Sequence, residues 1–279
     1  MTWQERQQDL AQRFGLYASF PAETDPEFEF YGEGPAVEVA RLLDLHARED
    51  TRFLDIGCGA GGTIAVLALR VAEARGIDMT PALLEGAQAR AREQGLTTTR
   101  WMLGDTTHPQ TAAYLPPGHF SLALSQRGPN VNAALATSLA PGAIVIQELV
   151  GTYHGHPLQA VFGRLSYAFR QGCERDAFLT CYADLGLHVV SIREFFYDAF
   201  YRDVSHLEAD LVRSPWQLSN WRVGHACPYD PERDRAALAL YARYHTTPRG
   251  IRVAHHRYVM VFQRRTVDYY PAEGWPGQG

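Results

Sequence analysis

Along the chain, short apolar runs alternate with segments whose apolar residues recur every three or four positions. That is the pattern of strands interleaved with amphipathic helices. Phe53-Leu54-Asp55-Ile56 reads as a strand, and after a glycine-rich turn Thr63 to Leu69 reads as a helix. Glu73 to Asp78 predicts the second strand, and a helix follows through Leu83, Leu84, Ala87 and Ala91. Thr80 stands where its hydroxyl would cap that helix, and Pro81 where its first turn opens. Thr97 to Leu103, His119 to Ser125 and Ile144 to Leu149 read as three further strands. Ahead of the first strand, Pro35 and the set Val37, Val39, Leu42, Leu43 and Leu45 mark a helix packed beside it. Strands and helices in alternation predict an α/β fold around a parallel sheet.

The flanks are patterned differently. Residues 3 to 18 carry Trp3, Leu10, Phe14 and Leu16 among polar residues and read as an amphipathic helix, broken between Pro21 and Pro26. Glu27 to Gly32 is acidic and aromatic, and residues 1–34 together read as a cover segment. Beyond the fifth strand, 157–172 and Ala177 to Leu185 read as helices, the second ended by Gly186. His188 to Phe200 and Arg257 to Gln263 read as two long strands. The segment between them, Tyr201 to Gly250, is larger than a hairpin connection needs. It contains Leu207, Leu211, Trp216 and Trp221, with a helix expected from Pro231 to Tyr244. Thr266 to Gly279 reads as an irregular tail.

Composition narrows the function. At 279 residues the chain is long enough to bury a full core. No apolar run reaches the length of a membrane span, and the N-terminal residues lack signal-peptide character, so a cytoplasmic location is expected. Cys58, Cys173, Cys181 and Cys227 are scattered, which points to neither a zinc site nor a disulfide framework. Net charge is −5, and every strongly basic residue is arginine. Schiff-base chemistry and a lysine-bearing phosphate loop are thereby excluded. The acidic balance counts against a long nucleic acid as partner.

The chemistry is densest in the turn. Gly57, Gly59 and Gly62 satisfy G-x-G-x-x-G, a pattern used for dinucleotide pyrophosphates. Asp55, two residues before the first glycine, has the wrong sign for a diphosphate and the right one for a cation. Asp78 ends the second strand about 20 residues beyond the first glycine, where an acid can accept both hydroxyls of a ribose. Asp105 follows the third strand, so three acids succeed three successive strand ends.

Leu54 to Gly61 resembles motif I of the class I S-adenosylmethionine-dependent methyltransferases, and Gly76-Ile77-Asp78-Met79-Thr80 is similar to their motif II. The resemblance covers Pro35 to Ala143 well and the remainder by its strand pattern. It implies a Rossmann-like sheet of seven strands, mostly parallel, closed by an antiparallel strand, with a helical insert before the last one. S-adenosylmethionine is the implied cofactor and S-adenosylhomocysteine its product. Asp55, Gly57, Cys58, Gly59 and Gly61 would hold the amino-acid end, Asp78 the ribose, and Met79 would flank the adenine. Asp105 would meet the adenine amino group, and Thr106 and Ser125 would complete the cofactor set.

The acceptor side is less marked. Relatives usually carry an acid at the position of Ser121. Gln126-Arg127-Gly128-Pro129-Asn130 differs from the Asn/Asp-Pro-Pro-aromatic tetrad of methyltransferases acting on nucleobase amines. Arg127 is a candidate clamp for an anionic group, or it pairs with a nearby acid. Glu148, near the end of the fifth strand, with Tyr153 and His154 after it, are candidate acceptor-side residues by position, as general base or substrate contact. His154 and His156 stand one residue apart near Glu148 without a third ligand at helical spacing, so no metal is expected. A small-molecule acceptor is favoured. The rivals are an RNA nucleobase, with Arg249, Arg252, Arg257, Arg264 and Arg265 as a phosphate track, and a cofactor-binding protein without transferase activity.

Overall fold

The structure is a computed structural model that describes residues 26–106, 114–126, 128–163, 174–213 and 229–266. The helix expected over 3–18, the second half of that over 157–172, Arg127, Trp216, Trp221 and the tail from residue 267 lie outside the described residues. The strands are β1 (Glu27–Phe30), β2 (Arg52–Ile56), β3 (Glu73–Asp78), β4 (Thr99–Leu103) and β5 (Phe120–Gln126). β6 (Leu139–Val150), β7 (Leu187–Tyr201), β8 (Thr246–Thr247) and β9 (Gly250–Arg264) complete them. The helices are α1 (Pro35–His46), α2 (Gly62–Leu67), α3 (Pro81–Glu93) and α4 (Ala133–Ser138). They continue with α5 (His156–Val161), α6 (Glu174–Asp184), α7 (Val204–Arg213) and α8 (Pro231–His245).

Among the described residues, one sheet holds every strand, in the order β1-β7-β9-β6-β5-β2-β3-β4, with β8 paired to β9. β4, β3, β2, β5 and β6 are parallel, and β9 runs antiparallel between β6 and β7. These seven strands are the expected sheet. The order reverses at β2, where β3 lies on one side and β5 on the other, and that is where an open α/β sheet leaves a crevice for a ligand. β1 was not foreseen. Glu27-Phe28-Glu29-Phe30 alternates with period two, and over four residues such a signal is too short to separate a strand from a loop. It pairs antiparallel with β7 from Glu27↔Phe200 to Phe30↔Tyr197.

The sheet is covered on both faces. α1, α2 and α3 pack on one, where Leu43, Phe53, Ile64, Leu67, Leu124 and Val261 form a core. On the other, Leu54, Phe120, Leu135, Tyr182, Met260 and Phe262 form a second core under α4 and α6. A buried parallel sheet needs apolar strands on both sides, which is why β2 and β5 read as nearly continuous apolar runs. Asp55 interrupts the first of them.

β7 and β9 pair along their whole length, from Leu187↔Arg264 to Tyr201↔Ile251. β6 accompanies β9 only as far as Val150↔Arg257. Gly250 to His256 therefore projects beyond the ligand edge of the sheet by roughly 20 Å. A third core caps this projection, in which Leu207, Leu211, Leu238 and Tyr241 of α7 and α8 pack on Ala199, Tyr201, Ile251 and Val253. Leu158 of α5 joins it. The long connection between the two strands is thus a helical module with its own apolar interior.

Gly250 turns the chain into β9 at φ +122, and a Cβ there would stand 2.3 Å from the Tyr201 carbonyl oxygen. Gly250→Ala should lose about 2–4 kcal/mol of stability, read as a lower urea midpoint with an unchanged slope.

Candidate active site

The glycine turn is built from both sides. The amides of Gly57 and Cys58 both donate to the Ile77 carbonyl (2.8 and 3.0 Å), which ties the turn to the end of β3. Gly57, Gly59 and Gly61 all have positive φ, so each occupies a conformation that a side chain disfavours. Their surroundings differ. A Cβ on Gly61 would meet the Trp101 ring at 2.4 Å, and one on Gly57 would meet Gly128 and Pro129 at 3.3 Å. One on Gly59 would meet nothing within 4 Å. Gly61 thus answers to packing, whereas Gly59 leaves bare backbone facing open space. The Cys58 thiol lies in the core beside Gly76, where burial raises its pKa, so this residue offers a ligand its backbone only.

Two carboxylates meet at the turn. Asp55 is 4% exposed, and burial, with the charge of Asp78 as the smaller cause, pushes its pKa up to about 7. Asp78 accepts hydrogen bonds from the amides of Gly59 (2.8 Å) and Thr80 (2.9 Å), one on each oxygen. An ionised carboxylate has about four acceptor sites, so both oxygens retain capacity toward a ligand. Thr80 occupies the cap position of α3, but its side chain makes no capping bond. The expected hydroxyl cap is not made, and the bond from the Thr80 amide to Asp78 satisfies no amide of the helix's first turn.

The remaining expected cofactor residues lie along the same edge. Met79 is 66% exposed beside the turn. Asp105 is half-buried just past β4, and the carbonyl of the buried Thr106 accepts from Asn132 Nδ2 at 2.6 Å. Ser125 is fully buried and its hydroxyl donates to the Pro129 carbonyl (2.8 Å). That bond shapes the loop after β5, which Gly128 allows to pass directly over the Ile56 carbonyl.

Beyond β5 the edge turns polar and aromatic. Glu148 is fully buried, with Oε2 accepting from Gln126 Nε2 at 2.8 Å. Its Oε1 has no hydrogen-bond partner, and Arg257 Nε stands at 3.9 Å, in ion-pair range only. Arg257 Nε reaches the Tyr197 hydroxyl at 3.4 Å. The loop after β6 folds back over β9, with the Gly151 amide on the His256 carbonyl and the Gly155 amide on the Ala254 carbonyl. A Cβ on Gly151 would lie 2.3 Å from the His256 ring, so glycine is required there.

His255 and His256, adjacent on a strand, point to opposite faces. His154 meets the His255 ring edge-on at 4.4 Å, whereas the half-exposed Tyr153 and Phe196 stack on His256. Tyr153 and His154 are therefore divided between the two faces of the sheet. Burial, with the charge of Arg257 as a lesser cause, lowers His255 to about 3 and His256 to about 4. His154 falls well below its ordinary value, through burial and then the neighbouring His255. These imidazoles are neutral at physiological pH. Among the described residues, no group of three or more His, Cys, Asp or Glu side chains is arranged to hold a metal ion. Gln126, Tyr197 and His255 had no signal in the sequence, since only the pairing of β6 with β5 and β9, and of β9 with β7, gathers them.

Residues 47–140 match the model of a family described as a methyltransferase domain. The chain thus carries a methyltransferase domain, set in a class I fold. Its structure is similar to that of a functionally unknown protein from Deinococcus radiodurans R1, at 18% identity and a TM-score of 0.57, over 95% of this chain and 100% of that one. It is also similar to a Bacillus halodurans C-125 protein assigned provisionally as a methyltransferase, at 14% identity and a TM-score of 0.54, over 82% and 100% of the two chains. The YcgJ protein of Bacillus subtilis aligns with a TM-score of 0.54 at 14% identity, over 82% and 98%. At such identities the likeness establishes the fold. No curated protein matches the sequence significantly.

The residues present fit S-adenosylmethionine, the cofactor that the motif resemblance implies. Two carboxylates side by side at a glycine turn disfavour a pyrophosphate and favour a ligand with a sulfonium and an ammonium. When bound, that cofactor supplies a methyl carbon already activated by positive sulfur.

The folded protein retains the Asp55 proton between pH about 4 and 7, whereas the unfolded chain has released it. This contribution to stability is therefore full at the acid end and lost as pH rises through 7. At about 1.36 kcal/mol per pKa unit it is at most about 4 kcal/mol. The histidines act in the opposite sense, withdrawing stability as pH falls from 6.5. Asp55→Asn should stabilise the cofactor-free protein at pH 8 relative to pH 5 in urea unfolding. An unchanged pH dependence would show that Asp55 is ionised throughout.

Proposed function

We propose that the methyltransferase transfers the methyl group to a small molecule enclosed between the turn, the projecting β7–β9 hairpin and the helical module over 201–250. In this reading the turn holds the amino-acid end of the cofactor, Asp78 the ribose, and Asp105 the adenine, Met79 flanking it. Residues 35–265 act as the catalytic domain and the module selects the acceptor. Displacement at an activated methyl needs alignment above all, and aligned reactants reach effective molarities of about 10⁵–10⁸ M.

The observation that carries the small-molecule reading is the pairing of the arginines. Arg249 binds Glu27 and Glu29 of β1 at 2.5 and 2.7 Å, and Arg252 binds Asp198 at 2.7 Å. The Arg264 guanidinium donates to the Leu185 carbonyl, and Arg257 stands beside Glu148. A phosphate track needs cations exposed and uncompensated. These four are matched to acids and carbonyls of the chain itself, with β1 supplying the acids for Arg249, whereas Nε of the fifth, Arg265, is buried without a hydrogen-bond partner.

The deciding experiment measures S-adenosylhomocysteine formed from a desalted small-metabolite extract and from a total RNA fraction. Turnover is expected with the metabolites alone. Turnover with RNA alone would transfer the function to nucleic acid.

Asp78→Ala should weaken S-adenosylmethionine by roughly 10–100-fold in calorimetry, in keeping with charge-assisted bonds of about 1.5–3 kcal/mol. Unchanged affinity would remove the ribose assignment. Arg127→Ala should leave cofactor affinity intact and lower turnover of the extract. A collapse of cofactor affinity would take Arg127 out of the acceptor site.

A further inference from the structure

On the face of the sheet that carries Asp55, the same edge continues through Gln126, Glu148, Arg257 and Tyr197 on successive strands. Glu148 lies two strands from β2, roughly 10 Å across the sheet from Asp55. It carries a fully buried carboxylate with one oxygen fixed by Gln126 and the other without a hydrogen-bond partner. Nearly all buried polar atoms in proteins are satisfied, and an orphaned carboxylate oxygen is an expensive exception that a ligand's donor can relieve.

The neighbours limit what that donor can be. Arg257, 3.9 Å away, sets a positive charge beside the orphan oxygen, which repels an ammonium and stabilises a developing oxyanion. A carboxylic acid acceptor, ionised at neutral pH, would meet Glu148 as a like charge. The flanking wall is flat and uncharged. His255 packs against Tyr197 at 4.9 Å, Phe28 at 6.0 Å and His154 at 4.4 Å, and Phe30 lies on Tyr197 at 4.8 Å. Burial keeps both imidazoles of this group neutral.

We propose that the acceptor is a neutral hydroxyl carried on a flat, ring-bearing body, and that Glu148 receives the hydroxyl proton through Oε1 while Arg257 steadies the oxygen. The inference rests on the small-molecule reading above. In the step, an oxygen lone pair forms the O–C bond to the methyl carbon as the C–S bond breaks. The electron pair of that bond returns to sulfur, leaving a neutral thioether, and the O–H proton passes to the Glu148 carboxylate. His154, His255 and Tyr197 form the wall along which the ring lies.

The test uses the full chain with S-adenosylmethionine and four matched probes: a substituted phenol, the corresponding aniline, benzylamine and benzoate. Binding of each probe to the S-adenosylhomocysteine complex is measured alongside turnover. The phenol is expected to bind and be methylated in preference to the other three. Glu148→Gln should leave cofactor affinity unchanged and lower kcat for the phenol by about 10²–10⁴-fold with little change in KM. The acid limb of its kcat–pH profile should disappear, a change that a merely structural role would not produce.

Preference for either amine or for benzoate overturns the proposal, as does a Glu148→Gln enzyme with normal kcat and an intact acid limb. Failure of the phenol both to bind and to react also overturns it. If the small-metabolite extract still supports turnover in that case, the small-molecule reading stands and only the hydroxyl assignment falls.

Discussion

Asp55 is a carboxylate held in the dry edge of a parallel sheet with a second carboxylate, Asp78, as its neighbour, and the architecture around it follows from that placement. Burial and like charge both oppose its ionisation and push its pKa up to about 7. The chain supplies the pair with backbone amides: Gly59 and Thr80 both donate to Asp78. A ligand that brings positive charge to this point gains from both carboxylates at once. The same field repels a pyrophosphate.

The glycines of the turn divide the work of keeping that field accessible. Gly61 makes room for Trp101 beneath the turn, and Gly57 for the loop after β5. Only Gly59 leaves open space above it. A single sequence pattern thus contains packing constraints and a ligand face. The Cys58 side chain within it belongs to the core.

The second organising constraint is the length of β7 and β9. Because they outrun β6, they lift an aromatic and imidazole wall beyond the ligand edge, and the helices between them supply the apolar packing that such a projection needs. β1 completes the wall, and its acids neutralise Arg249.

The sequence by itself determined the alternation of strands and helices, the turn, and the three acids at strand ends, because each is a local pattern of period, glycine and charge. Asp55, Asp78 and Asp105 were legible for that reason, and so were the extents of β3, β5 and α1 to within a few residues. What the tertiary structure alone decided was which distant residues share a face. Glu148 could be placed near a strand end, but its partners Gln126 and Arg257 lie 22 residues before it and 109 after it. Their meeting depends on the register of β5, β6 and β9. Tyr153 and His154 are neighbours in the chain yet belong to opposite faces, because they meet two successive residues of β9 whose side chains alternate. Strand pairing is non-local, and a one-residue change of register would exchange every such contact.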